Sequence, residues 1–147
     1  MELPDFVRMG NEAPPLRFLI IGGWAVASHG NPRATFDVDF MIRRADREAW
    51  IQRVTAHGLK LFRESVVFAQ LSQEAGDGLD PMFVDDETFG KIWEASEQRT
   101  FGEVNARVPC LDHLLALKLH ALGKIWRIVL PRTLTMWKYC CDGIELT

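Results

Sequence analysis

No uninterrupted apolar run in this chain approaches the roughly 20 residues that a helix needs to cross a bilayer. The opening MELPDFVRMGNEAPPLRF also lacks the basic-then-apolar profile of a secretory leader. Both point to a cytoplasmic protein. Cysteine is scarce: Cys110 and the adjacent Cys140 and Cys141 offer neither the even count of a disulfide framework nor a second cluster to close a zinc site. They read as reduced thiols in packing roles. A basic surplus is missing too. The formal net charge of -3 argues against a protein that coats nucleic acid indiscriminately. Two groups of cations, Arg33, Arg43, Arg44 and Arg47, then Lys118, Lys124, Arg127, Arg132 and Lys138, leave room for local basic patches, with scattered surface charge the plainer reading. No internal repeat or low-complexity segment divides the chain. What is present is ordinary: 147 residues, 48% hydrophobic, can bury one core, so a single soluble domain over residues 1–147 is expected.

Local patterns supply the elements. LRFLIIGG is a short continuous apolar run ended by Gly22 and Gly23, suited to a strand buried on both faces. WAVASHG then reads as a two-turn helix from Trp24, closed by Gly30 with Pro32 just beyond. Strict alternation follows, with Arg33, Thr35, Asp37 and Asp39 on one face of a second strand and Ala34, Phe36, Val38 and Phe40 on the other. Asp46 is placed to cap REAWIQRVTAH, which ends at Gly58. SVVFAQLS and LDPMFV, joined by QEAGDG, suggest a hairpin. A helix around ETFGKIWEAS, a strand around GEVNARVP and a helix HLLALKLHALGK capped by Asp112 complete the core; the last, apolar nearly all round, reads as buried, and a further helix is expected after Pro131. The mixture of connection types favours α+β, a mixed twisted sheet packed against helices, over repeated βαβ units.

Chemistry concentrates in FLIIGGWAVASHGNPRATFDVDFMI. Two aspartates at i and i+2 on a strand sit about 7 Å apart and repel unless something positive lies between them. Hard divalent cations such as magnesium prefer carboxylate oxygens and keep water or phosphate in their remaining positions. A bare Asp-x-Asp is more often a solvated strand face, and a bare Gly-Gly more often a turn. Together they place a phosphate cradle, Gly22 and Gly23 at a helix start, beside a cation site at one end of a sheet. No histidine spacing supports a metal role.

The stretch GGWAVASHGNPRATFDVDF resembles the signature of the nucleotidyltransferase superfamily related to DNA polymerase beta: a glycine pair, a spacer, then Asp-x-Asp flanked by hydrophobic residues. Its details are similar to the branch that holds abortive-infection toxin-type nucleotidyltransferases, whose lysine-bearing, leucine-rich helix VPCLDHLLALKLHAL also resembles. The likeness spans about residues 16–124, with 125–147 left as a helical extension. It implies a third carboxylate from a later strand. Asp80 fits best, at the start of an apolar stretch after a turn, with Asp77, Asp85 and Asp86 as competitors.

The resemblance further implies two magnesium ions held by Asp37, Asp39 and Asp80. A hydroxyl acceptor then attacks the α-phosphorus of a nucleoside triphosphate, and Asp80 is a candidate to take the proton. Gly22 and Gly23 would cradle phosphates, Arg33 and Thr35 would contact phosphate or fix a carboxylate, and Lys118 would reach the triphosphate. The bland alternatives are a structural ion pair for Arg33 and a side chain snorkelling to solvent for Lys118. RNA, a protein side chain or a small molecule are all open as acceptor, and the short chain suggests a homodimer or a partner chain. A toxin–antitoxin connection follows from the branch. The rival reading is a non-catalytic nucleotide-binding or partner-binding domain with the same fold, such as an antitoxin or a regulatory subunit.

Overall fold

Two short runs, LII and VDFMIR, are buried at every residue but Asp39 and Arg43 because their apolar side chains are driven out of water. The structure, a computed structural model, describes residues 1–31, 34–73 and 78–126. Strand β1 (Leu19–Ile21) pairs antiparallel with β2 (Val38–Arg43), and β2 pairs parallel with β5 (Gly78–Val84). The chain between them forms α3 (Arg47–Ala56) and the hairpin of β3 (Lys60–Glu64) and β4 (Ala69–Ser72), giving the sheet order β1-β2-β5-β4-β3. The expected hairpin between the two segments before and after QEAGDG is present as the antiparallel pair β4–β5. A separate hairpin of β6 (Glu97–Phe101) and β7 (Val104–Val108) packs beside α1 (Leu3–Asn11) and β1.

One face of the sheet is covered over all its strands but the edge strand β3. Phe18, Phe40 and Trp50 form its centre, with Phe18 and Phe40 stacked at 4.5 Å and Trp50 set edge-on to both. Leu3, Phe6 and Val7 from α1 and Val54 from α3 close over them. The second face is covered in part only. Phe89 and Ile92 of α4 (Asp86–Glu94) and Leu117 of α5 (Leu111–Trp126) lie with Leu19, Ile21 and Met41, and no residue of β3 or β4 takes part in that cluster. The half of the sheet beyond β5 is thereby left open on this side.

The fold class is the α+β architecture expected, while several local expectations are corrected. The strand predicted to run from Arg33 begins only at Val38. Its neighbours set that limit: Ile21, opposite Asp39, is the last residue of β1 before the chain turns into α2 (Gly22–Ser28), and β5 offers partners only from Gly78. Helix α2 starts at Gly22, two residues before Trp24. Asp46 occupies the N-cap of α3 without capping it, because its carboxylate accepts two hydrogen bonds from Arg43 at 2.7 and 2.9 Å. Helix α5 is not buried all round: Leu114 and Ala116 are buried, whereas Leu111, Leu115 and Leu119 are exposed. A helix lying on one face of a sheet hides a single stripe. The helix expected after Pro131 lies outside the described residues.

Candidate active site

Asp39 and Asp80 are register partners on adjacent parallel strands, which brings two carboxyl groups from opposite ends of a long crossover side by side. They belong to one row across the sheet. Ile21 of β1 faces Asp39, Asp39 faces Asp80, and one step along the β4–β5 ladder from Leu71↔Leu79 sets Gln70 opposite Asp80. The Gln70 carboxamide hydrogen-bonds the Asp80 carboxylate. Gln70 was not legible as a site residue, because cross-strand pairing leaves no mark in sequence spacing.

The electrostatics of the row are unfavourable as they stand. Burial pushes the Asp39 carboxyl up to about 6, assisted by the neighbouring charges of Asp80 and Asp37, while Lys118 pulls it back down. Asp80 is raised for the same first reason, burial, with the Gln70 hydrogen bond opposing it and Asp37 reinforcing it. Asp37 itself stands just before β2 in exposed backbone, not on the strand face with Asp39. Lys118 is exposed on α5, and Leu117 beside it packs into the cluster that contains Ile21, so the helix carries the lysine's charge to within reach of Asp39. Arg33 and the competitor Asp77 lie outside the described residues. Asp85 is spent as the cap of α4, accepting from Thr88 N at 2.8 Å and Thr88 Oγ1 at 2.9 Å, and Asp86 begins that helix.

The glycine pair is explained first by the acids. Gly22 has φ +65°, and a Cβ there would stand 2.1 Å from Asp39 Oδ2. No other residue combines that backbone with that proximity. A Cβ at Gly23 would meet the Thr35 side chain at 2.9 Å. Thr35 in turn donates from Oγ1 to the Asp37 carbonyl at 3.3 Å, so the turn, the threonine and the acid segment are packed as one unit. The far end of α2 is fixed as well, with His29 Nε2 at 3.0 Å from the Pro109 carbonyl oxygen just before α5.

The donor set suits a hard divalent cation. Two half-buried carboxylates and a third within electrostatic reach repel one another, and a cation between them relieves that repulsion. Among the described residues no three acid, histidine or cysteine side chains close into a ready cage. Magnesium does not need one, since it is commonly held by one or two carboxylates together with substrate phosphates. A cavity of about 230 Å³ opens over the row, lined from Ile21 of β1 through Asp39 and Asp80 to Gln70 of β4.

The fold with this sheet order is that of solved nucleotidyltransferases. The structure of ANT(2")-Ia in complex with adenylyl-2"-tobramycin is similar at a TM-score of 0.67 and 14% identity, covering 95% of this chain and 84% of that one. The lincosamide antibiotic adenylyltransferase LnuA, lincomycin-bound, gives 0.62 and 14%, covering 97% and 96%. A putative nucleotidyltransferase, TM1012 from Thermotoga maritima, gives 0.61 and 15%, covering 95% and 96%. No family model and no curated protein matches the sequence. Among the described residues, no helix is long and apolar enough to cross a membrane.

Proposed function

We infer that the protein is a magnesium-dependent nucleotidyltransferase that moves a nucleoside monophosphate from a nucleoside triphosphate to a hydroxyl acceptor. The observation that carries this reading is the pairing of Asp39 with Asp80, held against Gly22 at a turn that leaves no space for a side chain. Asp39, Asp80 and Asp37 would hold magnesium, which supplies positive charge to the phosphates and acidifies a nearby hydroxyl. The chain's own groups do the rest. Gly22 and Gly23 offer backbone N–H groups to the triphosphate, Lys118 contributes its cation from α5, and Thr35 holds the acid segment in place. The acceptor hydroxyl oxygen forms a bond to the α-phosphorus while the bond from that phosphorus to the bridging oxygen breaks. The electron pair leaves with pyrophosphate, and the hydroxyl proton passes to Asp80.

The nucleotidyl transfer described for ANT(2")-Ia and LnuA by their adenylylated or antibiotic-bound structures supports the reaction class. The motif between Gly22 and Phe40 supports a connection to toxin–antitoxin pairs in the cytoplasm, and with it a partner chain. Incubation with labelled nucleoside triphosphate, magnesium and cell extract tests the reading. Asp39→Ala and Asp80→Ala should each reduce labelling by about 10²-fold or more. Label transfer that survives both changes would defeat it. Triphosphate binding without transfer would instead identify a nucleotide-binding module.

A further inference from the structure

Helix α5 has two apolar sides. Its inner side is occupied: Leu114 and Ala116 are buried, and Leu117 packs with Leu19, Ile21 and Met41. Leu111, Leu115 and Leu119 recur every four residues, so at 3.6 residues per turn they share the side that faces away. They are 51%, 52% and 60% exposed. A lone exposed leucine is ordinary. A row of three, on a helix already docked by its other side, is a contact surface that lacks its partner among the described residues.

The sequence that follows α5 offers one. Residues 127–131 have the length of a connection between two antiparallel helices, and Pro131, unfavourable inside a helix, suits the first position of a new one. Beyond it Leu134, Trp137, Cys141 and Ile144 recur at steps of three, four and three, the spacing of a seam that meets a single partner helix. Residues 132–147 equal the 16 residues of α5 in number, about 24 Å each at helical rise. A segment returning antiparallel from Pro131 therefore reaches back over the whole row, and Cys141 would fall between Leu115 and Leu119. The tether favours this occupant over a second copy, because a segment joined by a short linker competes at an effective concentration of about millimolar. We propose that residues 132–147 dock on the outer leucine row of α5 as the second arm of a helical hairpin. Docked there, the segment braces the helix that carries Lys118.

The test uses the full chain with Cys110→Ser and Cys140→Ser, which leaves Cys141 as its single thiol. Alkylation of Cys141 should be about tenfold or more slower than in the same chain unfolded in urea. Leu115→Asp, at an exposed position outside the core, should restore the fast rate. Introducing Leu115→Cys or Leu119→Cys instead should allow oxidised glutathione to close a disulfide to Cys141 within one chain. Three results would each overturn the assignment: a Cys141 that reacts at its unfolded rate, protection that survives both Leu115→Asp and Leu119→Asp, or a disulfide that joins two chains in dilute protein. The last would assign the row to a second copy. Circular dichroism shows whether the Leu115→Asp chain is folded; if it is not, the disulfide arm, which places no charge on the row, decides alone. None of these readouts requires nucleotide or turnover, so the outcome is independent of the transfer reading.

Discussion

Gly22 shows how a single residue can be fixed from two directions. Its φ of +65° already disfavours a side chain, and Asp39 occupies the space one would need. Gly22→Ala should therefore cost about 1–3 kcal/mol from backbone strain alone, with a further loss from the clash. Urea unfolding should show the second part shrinking when Asp39 is also changed to Ala, because that removes the blocking carboxylate but not the positive φ. Additive losses in the double variant would refute the contact. Gln70 hydrogen-bonds the Asp80 carboxylate. Gln70→Ala is expected to raise the magnesium concentration needed for half-maximal transfer several-fold, with little change in thermal stability for an exposed side chain. A fall in melting temperature that accounts for the lost activity would make the residue merely structural.

At the level of elements, α5 links the core to the site through neighbouring residues: Leu114 is buried in the main core, Leu117 lies over Ile21, and Lys118 acts on Asp39. Leu114→Ala should cost about 2–4 kcal/mol and weaken triphosphate binding beyond what Lys118→Ala does by itself, measured by calorimetry on folded protein. Equal affinities would uncouple the helix's packing from its charge. The elements differed in how plainly the sequence announced them. The glycine turn, the acids around Val38 and the apolar stretch after Asp80 depend on neighbours along the chain, and local pattern exposed them. Strand β3 did not show itself because all five of its residues, Lys60–Glu64, are exposed at the sheet edge, where no alternation is required. Strand β6, mostly exposed, was missed for the same reason. The start of β2 was misplaced since alternation from Arg33 onward says nothing of where β1 and β5 run out of residues. Helix α1 answers to no element expected from the sequence, although its Leu3, Phe6 and Val7 carry the core.

Over the whole molecule, the site is a local cost to stability. Asp39 moves from an ordinary value of 3.8 to about 6 in the folded chain. Between those values the folded state holds more protons than the unfolded one, so stability falls as pH rises through this window and the penalty is full above it. Asp39→Asn should raise the melting temperature at pH 7–8, by a gain on the order of 1 kcal/mol once solvent screening is allowed for, and should make no difference below about pH 4. Millimolar magnesium with nucleotide should stabilise the original protein in the same pH range and leave the asparagine variant nearly unaffected. Calorimetry across pH checks both, and a variant less stable at pH 8 would reverse the sign of the claim.

The parallel seam between β2 and β5 also dictates when the site can exist. Its two acids come from strands separated in sequence by all of α3 and the β3–β4 hairpin, so a growing or partly folded chain contains each half without the other. The paired carboxyls cannot form until β2 and β5 have zipped together, so the site arises only with the long-range part of the fold.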